Sequence, residues 1–358
     1  MPLSRFDVST QAIYSQLLDR LRTASLQAFI QDGGSFITKE VRGRNYWYHA
    51  VKEGGRSRHR YLGPDSEALR QQIEQSRAEQ EDYRALRRRN RTSVRMLGEA
   101  GYTRPDALTG RLIERLANAG AFRLRCVLVG THAFRCYDGL LGVHLSEAAG
   151  VTGDIDLAQF RTVSIAVDDR MEKPIEALLK EIDARFEAVL RLDARAGTAE
   201  WRLPGDEMKL ELLCPLVGPD DDSLQELPAL HGRGKPLRFL DYLIYETEQV
   251  ALLWDAGVLV RVPTPSRYAC HKLIVSQRRI ELKLGDTSKA RKDLEQADAL
   301  FEVLLIDRRG EVEDCWLEML ERGPKWRAAA LQALAGLRPS TAQDLTRWAG
   351  GATPASSA

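Results

Sequence analysis

One short stretch near the middle of the chain constrains the fold more than any other. Three apolar residues, Val127–Val129, run directly into Gly130 and Thr131, and a helix-compatible segment follows. A loop then leads to Asp154 and Asp156, separated and followed by apolar residues, an alternation typical of a β-strand. Residues two apart in a strand project from the same face, so both carboxylates are expected on one face of a sheet.

This pattern favours metal-assisted chemistry on a phosphate. Two carboxylates on one face repel each other, and no Lys or Arg separates Asp154 from Asp156. A hard cation with oxygen ligands, such as Mg²⁺, relieves that repulsion. A strand that turns into a helix at Gly130 and Thr131 would present backbone N–H groups to a phosphate, and the glycine would allow close approach.

A third acidic residue, Glu211, lies in the strand-like run Met208–Cys214. Gly-Thr, then Asp-x-Asp, then a strand carboxylate resembles the nucleotidyltransferase fold of the DNA polymerase beta type, in which the first motif is Gly-Ser or Gly-Gly. More narrowly, the chain is similar to a group of bacterial nucleotidyltransferase-like proteins. The resemblance covers roughly residues 100 to 310. It implies an α+β fold with a mixed catalytic sheet.

The resemblance also implies a role for each residue of the pattern. Asp154 and Asp156 would bind two Mg²⁺ ions, and Glu211 would hold the first ion close to the hydroxyl that is deprotonated. Gly130 and Thr131 would contact the β- and γ-phosphates of an NTP. A metal-dependent nuclease could use the same acids, but it would not specifically need Gly-Thr at a strand–helix junction.

Basic residues follow on two predicted helices after the sheet, with Lys272 and Arg278 on the first and Lys292 on the second. Related proteins commonly use such residues against the triphosphate, and the resemblance extends this role to Lys272, Arg278 and Lys292. Arg279 is seven residues after Lys272 and therefore shares its face of the helix. The alternative interpretation is a solvated basic helix face.

In the N-terminal part, alternating segments separated by turns near Gly43 and Gly54 predict a basic three-stranded antiparallel sheet. A charged helix is expected from Ser66 to about residue 92. Aromatic side chains among basic ones can stack bases and pair phosphates. The candidate nucleic-acid-binding residues are Arg44, Tyr46, Tyr48, Arg56, Arg58 and Arg60. The helix ends in the basic run Arg84–Arg91, either a solvated spacer or an arm that tracks phosphates. The alternative for the sheet is a small aromatic core with solvated arginines.

The pattern divides the chain into an N-terminal arm (1–99), a catalytic domain (100–262), a C-terminal helical domain (263–350) and a disordered tail (351–358). The catalytic domain should contain strands at 123–129, 154–158, 163–167, 186–192, 200–203 and 209–214, and a loop at 215–236. A hairpin is expected over 249–262.

Composition narrows the class of protein. The formal net charge of +1 gives no global field for nucleic acid, and no apolar run is long enough to span a bilayer. Five cysteines without a CxxC pair indicate reduced core residues in a cytoplasmic protein. The chain contains neither a P-loop motif nor Gly-x-Gly-x-x-Gly.

The sequence therefore predicts an Mg²⁺-dependent nucleotidyltransferase that moves an NMP from an NTP to a hydroxyl. The sequence does not decide whether the acceptor is RNA or tRNA, a protein side chain or a small molecule. The basic N-terminal arm favours RNA or DNA. A catalytically inactive nucleic-acid-binding module of the same fold is an alternative. Proteins of this type are also common in toxin–antitoxin settings, which the resemblance alone suggests.

Overall fold

The structure, a computed structural model, describes residues 4–27, 35–41, 44–53, 56–145, 153–166, 170–189, 197–219, 221–281 and 287–351. Its N-terminal part contains helix α1, followed by the three-stranded antiparallel sheet and the long helix α2 that the sequence predicts, with the sheet in the order β1-β2-β3. The bounds are α1 Val8–Gln27, β1 Ser35–Val41, β2 Arg44–Glu53, β3 Arg56–Pro64 and α2 Glu67–Glu99.

Helix α2 begins at the predicted cap but ends later than predicted. The Ser66 hydroxyl accepts a hydrogen bond from the Leu69 N–H at 3.3 Å, which satisfies one of the free amides of the first turn. The helix continues past residue 92 because Val94 and Leu97 are buried in an apolar cluster with residues of α1 such as Leu17. Tertiary packing therefore extends the helix beyond its charged stretch.

Some arginines of the basic run of α2 form ion pairs with other parts of the protein. Arg87 contacts Asp255, in the turn of a downstream hairpin, and Arg91 Nε lies 2.7 Å from the same carboxylate. Arg88, in contrast, pairs with the exposed Glu81 of its own helix. Two arginines of the predicted phosphate arm thus attach α2 to the folded domain.

Replacing Asp255 by Asn should destabilise the protein by about 1–2 kcal/mol, because Arg87 and Arg91 would lose a shared and partly buried carboxylate. Urea unfolding followed by circular dichroism measures the change. Glu81→Gln is the matched control, since its pair with Arg88 is exposed and should contribute under about 0.5 kcal/mol. Equal effects of the two substitutions would contradict the attachment of α2 through Asp255.

The described residues of the central part form a seven-stranded mixed sheet. Its path is β4-β5-β8-β10-β9, with β5, β8 and β10 parallel, while β7 pairs with the first half of β8 and β6 lies outside β7. The strands are β4 Val127–Val129, β5 Asp154–Ala158, β6 Glu187–Ala188, β7 Glu200–Arg202, β8 Lys209–Pro215, β9 Gln225–Leu227 and β10 Gly232–Leu237. The helices are α3 Ala107–Asn118, α4 Gly130–Leu141, α5 Arg161–Ala166 and α6 Ile175–Ile182.

The two faces of this sheet differ in chemistry. Ile155, Leu157, Leu210, Leu212 and Trp201 are buried in the main apolar core. Five residues that alternate with them are charged and only partly buried: Asp154 and Asp156 of β5, Lys209 and Glu211 of β8, and Glu200 of β7. Alternation therefore anchors the sheet through one face and leaves the other open for polar chemistry.

Four predictions for this region differ from the structure, and the first is the strand expected at 186–192, since only β6 Glu187–Ala188 forms among the described residues 186–189. The expected strand at 163–167 is helix α5, Arg161–Ala166, in which the buried Ser164 hydroxyl accepts a hydrogen bond from the Ala229 N–H at 3.0 Å. The first strand is shorter than predicted because Arg125 adopts a left-handed φ of 64° and interrupts it. The expected loop at 215–236 contains β9 and most of β10. The Gly-Arg-Gly-Lys-Pro sequence of β10 does not indicate a strand, yet β10 pairs with both β8 and β9.

The C-terminal part is helical after a hairpin, as predicted. A short helix α7 Leu240–Leu243 precedes β11 Thr247–Leu252 and β12 Val258–Pro263. The helices that follow are α8 Pro265–Glu281, α9 Thr287–Asp307, α10 Arg309–Glu321, α11 Pro324–Ala333 and α12 Pro339–Gly351. One apolar core spans both sides of residue 263, and the division into domains at 99, 262 and 350 stays a prediction.

Other sequence predictions can be placed against the structure. All five cysteines are unpaired and buried, as expected of core residues. Within the described part of the chain, no helix combines the length and hydropathy that crossing a bilayer requires. Nearly all of the predicted tail, residues 352–358, lies outside the described residues.

Candidate active site

The open face of the sheet carries a row of three carboxylates on neighbouring strands. Asp156 of β5 is directly opposite Glu211 of β8, and Glu211 is directly opposite Glu200 of β7. Residues paired in this way project from the same face, and neighbouring strands lie about 4.8 Å apart. Asp154, two residues before Asp156, shares that face. The structure thus places the three predicted acids on one face of the sheet and adds Glu200.

The turn into α4 lies against this row. Val129 is paired with Asp156, so Gly130 begins α4 directly beside that carboxylate. Gly130 has a φ of +65°, and a Cβ built on it would stand 2.5 Å from Asp156 Oδ2. Both observations explain why glycine occupies this position. The free N–H groups of the first turn of α4 lie in this region, where they can receive an anion.

The carboxylates perturb one another. Burial raises the pKa of Asp156 to about 7, and the negative charges of Glu211 and Asp154 act in the same direction. Lys209 and Lys272 oppose this rise. In the metal-free protein, Asp156 is therefore held in a site that disfavours its charge, which is a property of functional carboxylates.

Glu211, in the middle of the row, has a different environment. Its Oε1 lies 3.2 Å from Lys209 Nζ and 3.7 Å from Lys235 Nζ. Burial acts to raise the pKa of Glu211, but Lys235, a hydrogen bond with Glu200 and Lys209 outweigh it and hold the pKa below its usual value. Burial and the hydrogen bond with Glu211 raise the pKa of Glu200. Glu211 is thus a carboxylate held by two ammonium groups.

Two of the predicted metal ligands, Asp154 and Asp156, suit a hard cation, whereas the third, Glu211, is paired with lysines. Asp154 and Asp156 supply oxygen ligands of the kind that Mg²⁺ prefers, and the mutual repulsion that a cation would relieve is present. Across the described ranges, however, no group of three or more His, Cys, Asp or Glu side chains is arranged to hold a metal ion. Glu211 would have to leave Lys209 and Lys235 to join the two aspartates.

Basic residues from the C-terminal helices lie at the α4 turn. Lys292 Nζ of α9 lies 3.3 Å from the Thr131 hydroxyl oxygen. Lys272 of α8 is held at 2.5 Å by the buried Asp293, which also accepts a hydrogen bond from Arg279 at 2.8 Å. The ion pairs of Lys272 and Arg279 with one carboxylate agree with their predicted common helix face.

Tyr268 ties α8 to the turn itself. Its hydroxyl donates to the Gly130 carbonyl at 3.0 Å, and it lies 3.1 Å from Gln296 Oε1 on α9. The helical part of the chain therefore fixes the position of the glycine turn. The structure does not bring Arg278 to this group, since its guanidinium stacks on the Phe239 ring at 5.5 Å, on another face of α8.

Replacing Asp293 by Asn should destabilise the protein by about 3 kcal/mol, because two buried or partly buried cations would lose their shared counter-charge. Chemical denaturation measures this change. Glu295→Gln is the matched control on the same helix, because its pair with Arg291 is exposed. An unchanged unfolding midpoint for the Asp293 variant would show that the ion-pair cluster contributes nothing.

Among the predicted nucleic-acid-binding residues, the structure describes the side chains of Tyr46 and Tyr48. Tyr46 and Tyr48 are paired with Lys39 and Ile37 of β1 and lie on their face of the small sheet, with Lys39 Nζ 5.0 Å from the Tyr48 ring. By register, Trp47 lies on the other face, where its indole donates to Asp65 at 2.9 Å.

Backbone register pairs Arg56, Arg58 and Arg60 of β3 with Glu53, Val51 and His49 of β2. The side chains of these three arginines and of Arg44 lie outside the described residues. Nucleic-acid binding by this sheet therefore stays a prediction.

Sequence reasoning missed several residues of the candidate site. Glu200 stands in a predicted strand, and its place in the carboxylate row follows only from the β7–β8 register. Lys235 lies in the segment that was predicted to be a loop. Nothing in the local sequence indicates that Tyr268 or Asp293 contacts the glycine turn or its neighbours, because these contacts connect distant parts of the chain.

A mixed sheet that aligns acidic residues beside a glycine-led helix, with lysines on the helix side, defines a class of enzymes that act on phosphate esters. A family model described as Nucleotidyltransferase matches residues 107–321, which include every element of this site. The chain belongs to that nucleotidyltransferase family, and it is a transferase of nucleotidyl groups with an α+β fold. A second family model, a domain of unknown function, matches residues 11–71. No curated protein and no solved structure matches the chain.

Proposed function

We propose that the protein transfers a nucleoside monophosphate from an NTP to a hydroxyl group in an Mg²⁺-dependent reaction. The observation that carries the proposal is the register of β5 and β8, which places Asp156 beside Glu211 and directly against the Gly130 turn. Phosphoryl and nucleotidyl transfer depend mostly on positioning and charge stabilisation, and this arrangement offers both.

Different groups of the site would contact the outer phosphates and the α-phosphate of the NTP. Thr131, Lys292 and the N-terminal amides of α4 suit the β- and γ-phosphates, because they combine N–H groups, a hydroxyl and an ammonium group. Lys272, fixed by Asp293, adds positive charge on the same side. The α-phosphate then lies over the carboxylate row, and the acceptor approaches from the side of Glu211.

Asp154, Asp156 and Glu211 would hold the Mg²⁺ ions, which supply charge neutralisation at the attacked phosphorus and at the leaving pyrophosphate. The acceptor oxygen forms a bond to the α-phosphorus while the bond from that phosphorus to the β-bridging oxygen breaks. Pyrophosphate leaves, and the hydroxyl proton passes to the Glu211 carboxylate, which stands on the acceptor side.

The test uses NTPs labelled in the α- or the γ-phosphate, incubated with cellular RNA and protein. We expect the α-label to become attached to an acceptor with release of pyrophosphate, and the γ-label to remain unattached. Asp154→Asn should remove the transfer, whereas Asp314→Asn, at an exposed position on α10, should retain it. Shortened nucleic acid without incorporated label would instead indicate a nuclease, and nucleic-acid binding without any chemistry would indicate a binding module.

A further inference from the structure

Two lysines from different strands converge on the acceptor side of the candidate site. Lys209 comes from β8 and Lys235 from β10, and both approach Glu211 Oε1, at 3.2 Å and 3.7 Å. Their side chains remain 31% and 43% exposed, so both ammonium groups can be reached from solvent. Neither lysine belongs to the group on α8 and α9 that faces the Thr131 turn.

The charge balance at this end depends on Glu211. While Glu211 is paired with the lysines, the two ammonium groups face two carboxylates, because Lys209 also lies 3.7 Å from Glu200. When Glu211 turns towards the aspartates, Glu200 is the carboxylate that remains beside Lys209 and Lys235. An excess of positive charge then lies next to the position where the acceptor hydroxyl must stand.

We propose that Lys209 and Lys235 bind a phosphate group of the acceptor, and that the acceptor is the 3′ end of a polynucleotide. This inference rests on the proposed function and specifies its substrate class. The terminal ribose would present its hydroxyl at Glu211, and the phosphodiester on its other side would replace Glu211 as the partner of the two ammonium groups. A protein hydroxyl brings a neutral backbone and would leave this charge uncompensated.

The experiment measures binding and transfer separately. The probe is a short fluorescent oligoribonucleotide with a free 3′-hydroxyl, whose binding is followed by anisotropy without NTP over a range of salt concentrations. Lys209→Gln and Lys235→Gln should each weaken binding about fivefold to tenfold and reduce the salt slope by about one. Both should raise the KM for the oligonucleotide and leave the KM for NTP unchanged.

Two further variants keep the result interpretable. Lys235→Arg retains the positive charge and should bind the oligonucleotide nearly as tightly as the unmodified protein. If Lys235 served only to pack against its neighbours, the larger arginine would not preserve binding. Lys325→Gln removes an exposed lysine on α11 and should have no effect. Thermal unfolding of each variant shows whether it is folded.

Several results would overturn the inference. Unchanged oligonucleotide binding and KM in both glutamine variants would exclude the lysine pair as a phosphate site. Equal binding of a free nucleoside monophosphate and the oligonucleotide, both dependent on Lys235, would overturn the assignment to a polynucleotide. Label on protein acceptors, insensitive to Lys235→Gln, would identify a different substrate class. Absence of any label transfer by the unmodified protein would contradict the proposed function. The anisotropy measurement would still show whether Lys209 and Lys235 bind the oligonucleotide.

Discussion

Replacing Asp156 by Asn should abolish nucleotidyl transfer and at the same time stabilise the metal-free protein. The loss of transfer should be at least about 10³-fold, because Asp156 would hold the Mg²⁺ whose charge stabilises the transition state by several kcal/mol. The gain in stability follows from removing a carboxylate whose charge is disfavoured first by burial and then by the negative charges of Glu211 and Asp154. Active sites commonly carry such a cost in stability.

The stability gain should depend on pH in a defined direction. The folded protein raises the pKa of Asp156 from its ordinary value of 3.8 to about 7, so the folded state binds this proton more tightly than the unfolded chain. The contribution of protonated Asp156 to the free energy of unfolding is complete below about pH 4 and is lost as the pH rises towards 7. Asn does not titrate, so the variant should gain most above pH 7.

Thermal unfolding in EDTA measures this effect. At pH 8 we expect Asp156→Asn to be more stable by about 2 kcal/mol, a value discounted for the partial exposure of the side chain. At pH 4 the difference should vanish. Asp314→Asn provides the control at an exposed position on α10. A variant of Asp156 that is less stable than the unmodified protein at pH 8 would contradict the account of repulsion within the carboxylate row.

Replacing Gly130 by Ala should reduce transfer by about 100-fold or more and destabilise the protein by about 1–3 kcal/mol. The new Cβ would stand 2.5 Å from Asp156 Oδ2, and its backbone would be strained at a φ of +65°. The carboxylate would have to move, which displaces a proposed metal ligand and narrows the approach to the α4 amides. Steady-state kinetics and urea unfolding together measure both effects.

Gly310→Ala is the control for this substitution. Gly310 lies in the first turn of α10 with open space around the position of a Cβ, so the alanine should be neutral or stabilising by up to about 1 kcal/mol. Full transfer activity of the Gly130 variant would show that close approach to this turn is not needed, and would remove the turn from the phosphate-binding region.

The parts of the site that follow from local sequence were predictable. Three apolar residues before Gly130, and the alternation around Asp156 and Glu211, specify strands that begin or end at particular residues, and the structure has those strands. Alternation also predicts which face the acids share. The N-terminal meander and the hairpin before α8 were predictable for the same reason, since turn residues separate well-patterned strands.

Features that depend on tertiary contacts were not predictable. Strand β10 lacks a strand-like sequence and forms because its backbone pairs with β8 and β9, and this pairing delivers Lys235 to Glu211. The pairing of Arg87 with Asp255 connects residues 168 positions apart, so the basic run of α2 could be interpreted only as a spacer or a phosphate arm. Arg278 illustrates a limit of helix-level reasoning, since Arg279 is the residue that shares the Lys272 face.

The most direct test of the central claim is anomalous diffraction from crystals grown with Mn²⁺ and a non-hydrolysable NTP analogue. The account predicts Mn²⁺ between Asp154 and Asp156, with Glu211 turned away from Lys235 to join them and the outer phosphates against Thr131 and Lys292. Mn²⁺ bound elsewhere, or a triphosphate that lies away from the Gly130 turn, would contradict it.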